Sequence, residues 1–162
     1  MNLLFRPANE QDIPLISFLA EKIWREHYPS IISIEQIEYM LANRYSLDAI
    51  LNGMKSGEKY FLAYTLNVVH AYASVELDSS SIFLSKFYVD VPKHRKGIGQ
   101  KFFHYIVSRL DSSLPIRLQV NRQNIKAINF YFKMGFIIEK AADFEIGSGF
   151  FMNDFVMVRK GT

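Results

Sequence analysis

Cysteine is absent from the chain, which removes disulfides, thiolate metal sites and a cysteine nucleophile from consideration. The four histidines, His27, His70, His94 and His104, show no metal-ligand spacing with one another, so no metal is expected. No apolar run approaches the roughly 20 residues that cross a bilayer. Met1-Asn2-Leu3-Leu4-Phe5-Arg6-Pro7 turns polar too early for a signal peptide. A cytoplasmic protein with no membrane partner is the expectation. An excess of either charge is also lacking: 19 Lys and Arg against 16 Asp and Glu leave +3. The basic residues gather only at Lys93-His94-Arg95-Lys96, with Lys101 close behind. That cluster suits a small polyanion and is thin for a duplex, so no nucleic-acid partner is expected. Internal repeats, low-complexity stretches and linkers are missing too.

Apolar residues, by contrast, make up 49% of the 162 positions and aromatics 15%, enough to pack one domain over residues 1–162. Leu3–Arg6 reads as a short strand stopped by Pro7. Asp12 can cap a helix with Pro14 in its first turn, and Ile16, Leu19, Ala20, Ile23 and Trp24 carry the helical period until Pro29. Ser33 and Gln36 have the form of a capping box before Ile34, Ile37, Met40 and Leu41, and Ser46–Met54 reads as a short helix. Tyr60–Leu66, Val68–Leu77 and Ser81–Val91, rich in aromatic and β-branched residues, read as a three-strand meander. Gly97–Leu110 returns to helical period. Ile116–Val120 is a buried-type strand, Asn124–Met134 a helix closed by Gly135, and Phe136–Lys140 and Phe150–Arg159 two further strands. Strand–helix–strand after residue 81 predicts parallel pairing there, and the hairpins predict antiparallel pairing elsewhere. The fold class is α/β, a mixed sheet covered by helices.

The segment His94-Arg95-Lys96-Gly97-Ile98-Gly99-Gln100-Lys101 falls between a strand and a helix. The first amides of a helix lack internal partners, and the helix dipole favours negative charge there. Gly97 and Gly99 let backbone approach an oxyanion without a Cβ in the way, and Arg95, Lys96 and Lys101 add charge. The alternative is a glycine turn that only starts a helix. A nucleotide P-loop would need Gly-Lys-Ser/Thr, whereas Gly99 precedes Gln100-Lys101-Phe102; a dinucleotide fingerprint would need its third glycine at Phe102. ATP and NAD are therefore disfavoured.

Asn124 and Tyr131 stand two helical turns apart and share a face, with Ala127 between them leaving room for a ligand. Singly, Asn124 is a good N-cap and Tyr131 would suit a core. Together, Leu84-Ser85-Lys86-Phe87-Tyr88-Val89, the glycine loop and the run Asn124, Ala127, Phe130, Tyr131, Gly135, Phe136 resemble the GNAT superfamily of N-acetyltransferases. His94 departs from the family's usual Gln or Arg at the head of the loop, which leaves the backbone cradle intact.

The resemblance covers nearly the whole chain. It implies a GNAT-like fold: a central mixed sheet of about seven strands, splayed between Ser81–Val91 and Ile116–Val120, flanked by four or five helices. Acetyl-coenzyme A would lie in that gap as acyl donor. Its pyrophosphate would rest on Arg95, Lys96, Gly97, Ile98, Gly99, Gln100 and Lys101, and its pantetheine arm along Phe87, Tyr88 and Val89. Asn124, Ala127, Phe130 and Lys133 would complete the cofactor wall. Tyr131 would be the general acid that protonates the departing thiolate, and an N–H at Tyr88 or Val89 would meet the oxyanion. The amine must lose a proton before it attacks; Glu76, on the neighbouring strand, is the candidate base, ahead of Glu26 and His27. The acceptor, a small-molecule (polyamine-like) or peptide amine, would sit against Trp24, His27 and Tyr28, with Tyr39 and part of Phe144–Phe151. An acyl-CoA sensor without transferase activity is the alternative, and a homodimer stays open.

Overall fold

The computed structural model describes residues 2–90, 92 and 97–162. Seven strands form one sheet in the order β1-β2-β3-β4-β5-β7-β6. The strands are β1 (Leu4–Pro7), β2 (Lys59–Thr65), β3 (Val68–Leu77), β4 (Ile82–Val89), β5 (Ile116–Asn121), β6 (Ile137–Gly147) and β7 (Phe150–Arg159). The helices are α1 (Ile13–His27), α2 (Ile34–Arg44), α3 (Leu47–Lys55), α4 (Ile98–Val107) and α5 (Ile125–Lys133). Among the described residues only β4 and β5 run parallel, because α4 carries the chain back between them; the other neighbouring pairs are antiparallel.

Alternation along the strands sorts side chains between two layers. On β2, Phe61 and Ala63 face α4 and α5, where Ile98, Phe102, Phe103, Ile106, Ile128 and Tyr131 pack. Tyr60 and Leu62 face α1–α3, against Ile16, Ile23, Trp24, Ile37 and Ile50. Both layers are closed by aromatic contacts, among them Phe87 stacked on Phe102 at 5.7 Å and Trp24 stacked on Tyr28 at 4.0 Å.

A bulge in β4 positions the site. Ser74 faces Lys86, yet the next pair is Val75 with Leu84, so Ser85 is the extra residue. A bulge bends and overtwists its strand. β4 pairs with β5 only at Ile82–Ile116 and Phe83–Arg117; beyond them the two strands share no further pair among the described residues. Behind the bulge, Lys86 is 5% exposed and its Nζ donates to Glu58 at 2.7 Å, while the rings of Tyr60 and Tyr45 lie 5.4 and 5.8 Å away. The pair anchors β4 from the α1–α3 side.

Several local expectations are corrected. Pro7 ends β1 from within, opposite Phe61, as an edge strand tolerates. Asp12 stands at the start of α1 without capping it. Its carboxylate accepts from Arg6 at 2.7 and 2.8 Å and from the Asn9 amide at 2.9 Å, which closes a preceding 3₁₀ turn. Ser33 caps α2, accepting from the Gln36 amide at 3.2 Å. The Gln36 side chain does not complete the box but donates to the Phe151 carbonyl at 2.7 Å. β6 runs to Gly147 rather than Lys140, because pairing with β7 from Ile137–Val158 to Gly147–Phe150 carries its polar residues.

Candidate active site

Where β4 and β5 part, a cavity of about 880 Å³ opens through the sheet. Its walls come from both layers. Trp24 and His27 of α1, with Tyr28 just after it, line one side; Gly97, Gly99 and Gln100 at the start of α4, with Asn124 at the cap of α5 and its Ala127, Phe130, Tyr131 and Lys133, line the other. Phe87, Tyr88 and Val89 border the gap from β4, and Glu76 reaches it from β3. The sequence had nominated all of these. Ile98 instead packs in the core, Lys101 is exposed and neither lines the cavity. Arg95 and Lys96, like His94, lie outside the described residues.

The two glycines have different reasons. Gly97 caps α4 in the left-handed region (φ 73°) with open space where a Cβ would stand. A Cβ on Gly99 would approach the Phe130 ring to 3.3 Å and Val89 to 3.6 Å, so Gly99 lets the helix start close on β4 and α5. The first intrahelical bond runs from the Lys101 amide to the Gly97 carbonyl at 3.2 Å. The amides before it aim out of the helix end at the cavity margin, an arrangement that suits phosphate oxygens.

Tyr131 is buried, its ring edge-on to Phe87, Phe130 and Phe136. Burial pushes its phenol above the usual tyrosine range, and the neighbouring Tyr88 phenol adds to the effect; it therefore holds its proton at neutral pH and stands as a donor. Asn124 caps α5, its Oδ1 accepting from the Ala127 amide at 3.3 Å. The same oxygen lies 3.3 Å from His27 Nε2, which joins the two walls.

Across the gap from α5 the wall is aromatic. Tyr45 Oη donates to Tyr88 Oη at 3.1 Å, and Trp24 and Tyr72 pack within 6.1 and 5.4 Å of the Tyr88 ring. Burial pushes the Tyr28, Tyr45 and Tyr88 phenols up as well, so these three hydroxyls are uncharged at neutral pH. Tyr39, expected here, does not line the cavity; its hydroxyl donates to the Ile146 carbonyl at 2.7 Å and pins the β6–β7 hairpin. Of the stretch Phe144–Phe151, Phe144 and Ile146 reach the cavity. Glu26 is exposed away from it, and Glu38 is taken up by Arg25 on the surface.

Sequence reasoning missed Arg44, Asn121, Lys126, Asn129 and Asp154, which also line the cavity. Asp154 had a signal. Along β7 it occupies the alternate-residue series Met152, Asp154, Val156, Val158, a carboxylate on an otherwise apolar strand face.

An acetyltransferase (GNAT) domain model matches residues 30–151, three quarters of the chain. The chain belongs to the GNAT acetyltransferases. A GNAT relative, the spermidine N(1)-acetyltransferase of Thermoplasma acidophilum, is 24% identical over 167 residues, spanning 99% of this chain and 98% of its own. The fold matches the crystal structure of the PaiA N-acetyltransferase from Thermoplasma acidophilum in complex with coenzyme A, with a TM-score of 0.83, 24% identity and 99% of each chain covered. It also matches the ribosomal-protein-S18-alanine N-acetyltransferase of Escherichia coli, with a TM-score of 0.75, 15% identity, and 98% of this chain and 93% of that one covered. At these identities the structural matches establish the GNAT fold, including the mixed sheet of seven strands with five helices. Among the described residues no helix is long and apolar enough to cross a membrane.

Proposed function

We propose that this GNAT acetyltransferase moves an acetyl group from acetyl-CoA to a primary amine of a small cationic acceptor, by direct attack within a ternary complex. The observation that carries the reading is the parting of β4 and β5 after Phe83 and Arg117, which puts the α4 start and α5 on one side of a single cavity and the aromatic wall of α1 on the other. The coenzyme A complex of the PaiA relative and the spermidine acetyltransferase relative support the donor and the acceptor class.

In this reading the cofactor's pyrophosphate rests on the amides at Gly97–Gln100, with Lys133 nearby, and its pantetheine arm runs along β4 at Phe87–Val89. The acceptor enters between Trp24, His27 and Tyr28. Glu76, exposed at the cavity, takes the proton that the amine must lose. The neutral nitrogen attacks the thioester carbonyl, and a β4 N–H at Tyr88 or Val89 holds the oxyanion. As the carbon–sulfur bond breaks, Tyr131 gives its proton to the thiolate, whose conjugate acid has a pKa of about 8.5. The nitrogen's second proton, released as the amide forms, is equivalent to the one Tyr131 must regain.

The test is a screen of amines with acetyl-CoA, read as released free CoA and as acetylated product by mass. Spermidine and shorter diamines are expected to turn over. Failure of every amine to release CoA, with acetyl-CoA bound, would overturn the reading.

A further inference from the structure

The acceptor side of the cavity holds a carboxylate one of whose oxygens has no hydrogen bond among the described residues. Asp154 on β7 is 4% exposed, borders the cavity, and its Oδ1 is buried without any hydrogen bond. Buried polar atoms are nearly always satisfied, and an unpaired buried carboxylate is costlier than a neutral group. Its strand partners across the sheet are Asn121 and Ala142, neither a cation. The cations nearest in effect are Arg44 of α2 and Arg122 after β5. Arg122 is committed to Asp143 at 2.6 Å, and Arg44 reaches Ser85 Oγ at 3.5 Å. On the β4 side the facing titratable group is the uncharged phenol of Tyr88. Among the described residues, Asp154 Oδ1 is thus a buried carboxylate oxygen near the Tyr88 phenol that no cation of the protein bonds.

We propose that Asp154 is the docking point for a second, non-reacting ammonium group of the acceptor, so that the enzyme selects di- and polyamines over monoamines. The proposal rests on the acetyltransferase reading above and deepens it. An ammonium seated on a carboxylate is held in its charged form and cannot be the attacking nitrogen, whereas the reacting nitrogen must be neutral. The acceptor therefore needs two nitrogens, one fixed at Asp154 and one free to approach the thioester. The cavity that Asp154 borders is also lined by Trp24, Tyr28 and Tyr88, rings that favour a cation with an alkyl chain over a hydrated inorganic ion. Asp154 acts here on binding and specificity, and the proton transfers remain with Glu76 and Tyr131.

The experiment compares native protein with Asp154→Asn and Asp154→Ala, using spermidine and n-propylamine as probes. A lost charge-assisted hydrogen bond is worth about 1.5–3 kcal/mol, or roughly 10- to 150-fold. Asp154→Asn should raise the spermidine KM by that factor, with the change in kcat much smaller, and leave the KM for n-propylamine within about twofold. Calorimetry of spermidine binding to the CoA-loaded protein gives a readout that needs no turnover. Native affinity should fall as pH drops through about 6, where burial places the Asp154 carboxyl, and the Asn variant should show no such fall. Retained thermal melting of either variant shows that the fold is intact. A spermidine KM within twofold of native in a folded variant, or spermidine binding with the same pH profile in native and Asn proteins, would overturn the proposal. A native protein that binds spermidine in this pH-dependent way but releases no CoA would instead sink the acetyltransferase reading and leave the docking site standing.

Discussion

His27 Nε2 lies 3.3 Å from Asn124 Oδ1, across 97 positions of the chain. Because that oxygen also accepts the Ala127 amide and can only accept, the imidazole is the donor. The contact ties the end of α1 to the cap of α5 across the cavity. Asn124→Ala removes both bonds and should cost about 1 kcal/mol, the usual worth of a cap, or a few degrees of melting temperature. Asn124→Ser keeps a capping oxygen and should recover most of that loss while giving up the His27 contact. Calorimetric melting of the three proteins checks the ranking; equal melting would mean that the cap carries no weight.

Tyr131→Phe removes one oxygen and keeps the ring packed against Phe87, Phe130 and Phe136. Acetyl-CoA binding and melting should hold, while the acetylation rate falls roughly 10²- to 10⁴-fold, the range for one general acid. The loss belongs to chemistry alone, since proton donation matters only as the carbon–sulfur bond breaks. Single-turnover acetylation reads that step directly. A Phe variant within threefold of native there would remove Tyr131 from the acid role.

The two glycines allow the proposed phosphate binding to be tested apart from packing. Gly97→Asp places a carboxylate at the start of α4, where open space surrounds the position and aspartate tolerates positive φ better than most residues. It should weaken acetyl-CoA binding more than tenfold with a small loss of stability. Gly99→Ala pushes a methyl against Phe130 at 3.3 Å and should mainly lower stability. Titration calorimetry and thermal melts would show the opposite pattern if Gly97 only starts a helix.

Glu76→Gln should lower kcat and remove the acidic limb of the pH–rate profile, with a smaller effect on the acceptor's KM. A variant that keeps both limb and height would pass the proton-accepting role to water.

Asp154 also leaves a mark on stability. Burial raises its carboxyl from 3.8 to about 6, so between those values the folded protein binds the extra proton. Stability on this group's account is therefore full at low pH and falls as pH rises through about 6. Asp154→Asn should flatten that slope and leave the apo protein at least as stable as native at pH 7.5, the opposite of losing a structural carboxylate. Denaturant unfolding from pH 4 to 7.5 checks the sign.

Lys86 and Glu58 make a contrasting pair. Burial lowers the Lys86 pKa while Glu58 opposes the effect, and truncating one partner of a buried ion pair commonly costs about 3–5 kcal/mol. Lys86→Met should destabilise strongly, and Glu58→Gln in the same chain should recover part of the loss, as equilibrium unfolding of the single and double variants would show.

Features written in local periodicity were legible in the sequence. The apolar series of α1, α2 and α4, the meander of β2–β4, the Gly97–Gly99 helix start and the Asn124–Tyr131 face each depend on residues a few positions apart, whose spacing the backbone geometry converts into a shared side. Tertiary structure decided whatever depended on a partner far along the chain. The Gln36 side chain serves Phe151 rather than its own helix, because a long-range bond competes with the local one. The length of β6 follows from its ladder with β7, which stabilises polar residues that alone read as loop. Asp154 shows the limit most sharply: its residue type stands in the sequence, but only the fold buries it at the cavity and leaves its Oδ1 without a hydrogen bond among the described residues.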